Sequence, residues 1–187
     1  MNINIPNTLT LFRIGIIPVF ILVFYWQNPN AHVYATILFF IGGISDWFDG
    51  YLARKLNQQS ALGAFLDPLA DKLMVVVVLC VLIGEHPNDN WLLFSSIIII
   101  AREIIISSLR EWMSAQGKSD MVVVSFAGKA KTFTQLWAMG FLIFAQDFYI
   151  LPTYNFGIIL LVLSAFLTVY SLIVYLNAAW STIKNAG

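Results

Sequence analysis

Long apolar stretches follow one another along almost the whole chain, and no feature constrains its folding more. Six are legible, roughly at residues 11 to 26, 32 to 54, 65 to 84, 91 to 113, 124 to 145 and 156 to 179, each close to the ~20 residues an α-helix needs to cross a bilayer. Inside hydrocarbon no water bonds the backbone, so a spanning segment must satisfy its own N–H and C=O groups, as a helix does. The chain therefore reads as an all-α integral membrane protein with six transmembrane helices. The polar and turn-forming residues at the start read as a short interfacial N-terminal helix, and without a basic n-region no cleaved signal is expected. Composition agrees, at 59% hydrophobic and 11% charged, against about 25% charged in a soluble domain. The links are too short for a second fold, so residues 1–187 are expected to form a single membrane-embedded domain.

Charge is sorted along the chain although its formal net value is zero. Arg54 and Lys55 follow the second stretch, Lys118 follows the fourth with Arg110, Lys129 and Lys131 near it, and Lys184 follows the sixth. The other links carry Glu85 and Asp89, or Asp147, and no basic residue. Basic links stay on the cytoplasmic side, so both termini and the links after stretches two and four are expected there. Pro29, Pro87 and Pro152 fall in the opposite links, where Asn neighbours favour turns. Trp26, Trp91, Tyr149 and Tyr154 near stretch ends suit an aromatic belt. Cys80 is the only cysteine, which excludes an intrachain disulfide. No nucleic-acid partner is expected of so apolar and neutral a chain.

Against this background four aspartates stand out: Asp46, Asp49, Asp67 and Asp71. A carboxylate near hydrocarbon costs roughly 3 kcal/mol on insertion scales, so four of them need compensation. Asp46 and Asp49 are about 60° apart around a helix and Asp67 and Asp71 about 40°, so each pair projects from one face. The two pairs flank the link after stretch two, at the same end of their helices, where they can converge on divalent cations. Four negative charges match two such ions, and hard oxygen ligands suit Mg²⁺ or Mn²⁺ better than Zn²⁺. His32 and His86 belong to the opposite side by the same topology. Gly50, Ala53 and Gly63 allow close helix approach or room for a ligand, and small-residue packing alone explains them equally well. Pro68 is placed to begin or kink a helix and to aim Asp67 apart from Asp71. Two cations at a membrane interface suit phosphoryl transfer.

The full frame, D-x2-D-G-x2-A-R-x8-G-x3-D-x3-D from Asp46 to Asp71, resembles the signature of the CDP-alcohol phosphotransferase family at every defined position. That resemblance implies the family's fold of six transmembrane helices, a homodimer, and transfer of a substituted phosphate from a CDP-linked donor to an alcohol with release of CMP. The segments NIPNTLTLFRIGIIPVF, FLDPLADK and AREIIISSLREW resemble the bacterial branch that uses CDP-diacylglycerol and glycerol 3-phosphate, a multi-pass enzyme of the cytoplasmic (inner) membrane surrounded by membrane lipids. It implies that Asp46, Asp49, Asp67 and Asp71 hold two Mg²⁺ or Mn²⁺ ions, and that Asp71 takes the proton of the acceptor hydroxyl. Gly50, Ala53, Arg54 and Gly63 then fall on the donor side, with Asn7, Thr10 and Arg13 as further donor contacts. For Asn7, Thr10 and Arg13 an interfacial helix with one cytoplasmic anchor serves equally.

Arg102, Arg110, Lys129 and Lys131 lie in or beside stretches four and five, where a cation needs a partner. Arg102 is the deepest, about 12 Å along a helix from Arg110 and about 80° from it. An acceptor phosphate explains such a cluster; glycerol 3-phosphate carries one, and inositol, serine and choline do not. Glu103 and Glu111 are alternative, structural partners for these arginines. A cardiolipin-synthase-like or inositol-phosphate-type transferase remains open within the family, and a cation-coupled transporter outside it. Transporter carboxylates sit near the midplane, however, and inverted repeats are not detectable here.

Overall fold

The computed structural model describes residues 5–55, 61–115, 126–146 and 152–184. Those residues form six α-helices and no strand: α1 (Ile5–Phe24), α2 (Ala31–Lys55), α3 (Ala61–Glu85), α4 (Asn90–Ala115), α5 (Phe126–Phe144) and α6 (Thr153–Lys184). All six expected helices are present, with two differences. α1 runs unbroken from Ile5, so the expected interfacial segment is the first part of the same helix as the first apolar stretch. Pro6 stands in its first turn, where the missing N–H costs nothing. α3 begins at Ala61, so Pro68 neither starts it nor ends it but lies within it, two turns from its start.

Local chemistry sets several boundaries. The Asn30 amide donates to Asn28 Oδ1 at 2.9 Å, an Asx turn that redirects the chain into α2. Asp89 precedes α4, and its Oδ1 accepts from the Leu92 amide at 3.0 Å, satisfying one of the orphan donors of the first turn. α5 is closed by Ala145, the residue after its last, whose φ of 47° is left-handed and whose amide returns to the Phe141 carbonyl at 3.1 Å.

Successive helices run up and down. Residues 24–32, 84–91, 143–146 and 152–154 meet at one end: Phe24 packs on His32, the His32 ring nitrogen meets the Ile143 carbonyl at 3.0 Å, and the Tyr154 hydroxyl donates to Asp89 Oδ2 at 2.8 Å. Glu85, Asp89 and both histidines are gathered there, while Asp71, Arg102 and Lys131 lie on the helix segments leading to the other end. Within the bundle α5 packs on α6, α4 on α6, and α1 on both α2 and α3. Phe20, Phe39, Leu79, Leu82, Leu142 and Leu161 lie in one shared core. Two glycines permit the closest approaches. A Cβ on Gly140 would stand 2.7 Å from the Phe40 ring, and one on Gly157 2.8 Å from Leu142 Cγ and 3.2 Å from its backbone nitrogen.

The outside carries many large apolar side chains. Leu22, Trp91, Phe94, Phe133, Phe166 and Tyr170 are all exposed, a surface that water disfavours and lipid does not. Among the described residues, Asn90–Ala115 and Thr153–Asn177 are long and apolar enough to cross a membrane, and Thr8–Phe24 and Ala31–Ser45 are shorter apolar helices.

Candidate active site

The aspartate frame is carried by two helices in succession. Asp46, Asp49, Gly50, Ala53 and Arg54 lie on the last turns of α2, and Gly63, Asp67 and Asp71 on the first turns of α3. The side chains of Asp46, Asp49, Ala53, Arg54 and Asp67, and the surroundings of Gly50, lie outside the described residues. Of the rest, Gly63 is buried and Asp71 is exposed. Asp71 thus remains accessible while the small residue two turns earlier is packed away.

On α1, Thr10 and Arg13 are buried, at 0% and 1% exposure, and neither is without a partner. Arg13 is therefore no solvated anchor: α1 packs on α2 and α3, the two helices of the frame, and carries this cation inward. The side chain of Asn7 lies outside the described residues.

The basic cluster is a network across three helices. Arg102 on α4 donates from Nη1 to Glu103 Oε1 at 3.1 Å and from Nη2 to Ser171 Oγ on α6 at 3.2 Å. Lys131 on α5 donates to the same Glu103 oxygen. Arg102 and Lys131 are buried, and the Glu103 carboxylate between them makes their charge tolerable there. Glu103, one of the two structural partners weighed above, is thus engaged by both. Lys131 is also within electrostatic reach of Asp71, which links this network to the aspartate frame. Arg110 is exposed. Its guanidinium carbon lies 5.8 Å from the centre of the Tyr175 ring on α6, and that of Arg102 lies 5.8 Å from the same ring. The side chain of Lys129 lies outside the described residues.

Ser171 and Tyr175 were not among the sequence candidates, because α6 reads as generic apolar sequence. A signal was present nonetheless. Ser164, Thr168, Ser171 and Tyr175 recur at i, i+4, i+7 and i+11, one stripe of a helix, and all four are buried.

Chemically, α3 offers an accessible carboxylate within electrostatic reach of a lysine whose charge Glu103 partly neutralises. That combination suits an anionic substrate whose reacting group must lose a proton. Metal binding is compatible with the donor set, since the frame supplies four carboxylates and no soft ligand; among the described residues no group of three or more metal-binding side chains is gathered.

Similarity to known proteins bears on this arrangement. A family model described as CDP-alcohol phosphatidyltransferase matches residues 3–173. A protein of Wigglesworthia glossinidia brevipalpis is 47% identical over 180 residues, 96% of this chain and 97% of its own. One of Haemophilus influenzae is 48% identical over 179 residues, 96% of this chain and 95% of its own. One of Salmonella paratyphi A is 45% identical over 179 residues, 96% of both. All three are named CDP-diacylglycerol--glycerol-3-phosphate 3-phosphatidyltransferase.

Proposed function

The chain belongs to the CDP-alcohol phosphatidyltransferase family, and on that premise we propose that it transfers the phosphatidyl group of CDP-diacylglycerol to glycerol 3-phosphate, releasing CMP and forming phosphatidylglycerophosphate. The observation that carries this reading is similarity along nearly the entire length of relatives bearing that enzyme's name. The structure adds support at the acceptor side, where Asp71 lies within electrostatic reach of a lysine tied through Glu103 to Arg102.

In the proposed reaction Asp71 accepts the proton of the acceptor hydroxyl, and that oxygen attacks the diacylglycerol-bound phosphorus as the bond to CMP breaks. Two divalent cations, Mg²⁺ or Mn²⁺, held by Asp46, Asp49, Asp67 and Asp71, supply charge stabilisation for the phosphoryl oxygens when bound. Gly50, Ala53, Arg54 and Gly63 flank the CDP moiety, with Asn7, Thr10 and Arg13 contributing from α1. Arg102, Arg110, Lys129 and Lys131 supply the positive field for the acceptor phosphate. A network that already contains Glu103 discriminates by charge count: Arg102 and Lys131 share one carboxylate, and the one positive charge left over, together with Arg110, matches a phosphate dianion and has no counterpart on a neutral alcohol.

Residues 1–187 form a single domain in this reading, with all six helices crossing the bacterial cytoplasmic membrane. Both termini and the aspartate frame face the cytoplasm, where glycerol 3-phosphate is available. The support is the sorting of Arg54, Lys55, Lys118 and Lys184 from Glu85, Asp89 and Asp147. The working unit is a homodimer, as the family resemblance implies.

The test is purified protein in detergent with CDP-diacylglycerol, Mg²⁺ and a panel of glycerol 3-phosphate, glycerol, inositol, serine and phosphatidylglycerol, with CMP release as the readout. Release dependent on glycerol 3-phosphate is expected. Release with phosphatidylglycerol or inositol instead would move the chain to another branch, and none with any acceptor would sink the transferase reading.

A further inference from the structure

The aspartate frame lies on α2 and α3 and the basic cluster on α4 and α5, yet α6 supplies two of the contacts that hold the cluster in place. Ser164, Thr168, Ser171 and Tyr175 form a buried stripe on α6, at 0%, 0%, 0% and 4% exposure, and α6 packs against α4. From this stripe Ser171 Oγ receives Arg102 Nη2, and Ser171 in turn donates to the Thr168 carbonyl at 2.9 Å, so its hydroxyl is oriented. The Tyr175 ring meets the guanidinium groups of both Arg102 and Arg110, each at 5.8 Å from its centre. That distance is within the range of a cation–π attraction.

This arrangement solves a geometric problem. Residues eight apart on a helix diverge by about 80° and are separated by about 12 Å along its axis. Arg102 and Arg110 therefore do not share a ligand by helix geometry alone, and their like charges repel. A single aromatic ring within 5.8 Å of both guanidinium carbons attracts both and limits their separation. We propose that Tyr175 is a positioning residue of the acceptor site: its ring seats Arg102 and Arg110 together, with Ser171 setting the rotation of Arg102, so that the last helix determines where the acceptor phosphate is held. This rests on the reading of glycerol 3-phosphate as acceptor. It assigns a role to a helix outside both the aspartate frame and the basic cluster.

The test is steady-state CMP release by wild type, Tyr175→Leu, Tyr175→Phe and Ser171→Ala, varying glycerol 3-phosphate and CDP-diacylglycerol in turn. Tyr175→Leu keeps an apolar side chain but removes the π face. It is expected to raise KM for glycerol 3-phosphate about fivefold with little change in KM for CDP-diacylglycerol, and Tyr175→Phe to restore most of that loss. Wild-type-like acceptor KM in Tyr175→Leu overturns the proposal. Where Tyr175→Leu folds poorly or weakens both substrates alike, Ser171→Ala decides: a rise of about twofold or more confined to glycerol 3-phosphate supports the role, and no change overturns it. The wild type separates the two levels of inference. If it releases no CMP with glycerol 3-phosphate, the functional reading fails and this proposal falls with it. If it does and the variants show no acceptor-specific effect, only this proposal fails.

Discussion

Among the described residues of the candidate site Asp71 and Arg110 are exposed, the first a carboxylate on α3 and the second a cation on α4. Asp71→Asn removes the proposed base without changing shape, so it is expected to reduce kcat by at least about a hundredfold while CDP-diacylglycerol still binds. Near-normal turnover would remove Asp71 from proton transfer. Arg110→Ala is expected to raise KM for glycerol 3-phosphate about tenfold, the loss of one charge-assisted bond to phosphate. Arg102 and Lys131 behave differently, because each is buried and bonded to Glu103. Removing either leaves a half-buried carboxylate with one cation fewer, so folded yield is expected to fall along with acceptor affinity. The identity of the charged residues was legible in the sequence because charge is rare in a chain that is 59% hydrophobic. Their partnership was not, since Glu103 and Lys131 are 28 positions apart and only packing of α4, α5 and α6 brings Ser171 and Tyr175 to them. Asp89, at the opposite end, offers a pH test. Burial pushes its carboxyl upward, but hydrogen bonds from the Leu92 amide and the Tyr154 hydroxyl outweigh this and hold it below the usual carboxylate range. A depressed carboxyl stabilises the fold above its unfolded pKa of about 3.9 and loses that contribution as pH falls through the lower folded value. Thermal unfolding of the wild type below about pH 4 is therefore expected to be more acid-sensitive than that of Asp89→Asn; equal slopes would show that the cap contributes nothing through its charge.

At the scale of elements, apolar runs located every helix, since length and hydropathy are properties of contiguous sequence. Boundaries were less legible at Pro68, which by sequence is placed to begin or kink a helix. Pro68 lies inside α3, as Pro18 does inside α1, and membrane helices tolerate this because neighbouring groups re-satisfy the freed carbonyl. Close approach was legible only as the presence of glycines. Gly157 proves critical because the backbone of α5 lies within 3.2 Å of where a Cβ would stand. Gly157→Ala must push α6 from α5 and is expected to destabilise by about 1 to 3 kcal/mol, seen as a lower unfolding temperature in detergent. Ala145 makes the opposite prediction. Its φ of 47° suits glycine, so Ala145→Gly is expected to raise stability by about 0.5 to 1 kcal/mol, and a loss instead would mean that this helix end is held by more than backbone preference.

For the molecule as a whole, the up-and-down order of six helices places the aspartate frame and the Glu85–Asp89 turn at opposite ends. With Cys80 replaced by Ser, a cysteine at Asn88 is expected to react with impermeant thiol reagents from outside the cell and one at Gln58 only after the cytoplasmic face is opened. The reverse pattern would invert the orientation and with it the cytoplasmic site. The all-helical class was readable from apolar runs and the aspartate frame from its spacing, whereas the contacts of α6 with Arg102 and Arg110 required three-dimensional packing. The reaction itself is tested most directly with glycerol 3-phosphate carrying a labelled phosphate, incubated with the purified protein, CDP-diacylglycerol and Mg²⁺. The proposed function predicts that label enters the lipid fraction with one CMP released per label incorporated, and that EDTA stops both. CMP release without label in lipid, or label transfer without CMP, would contradict it.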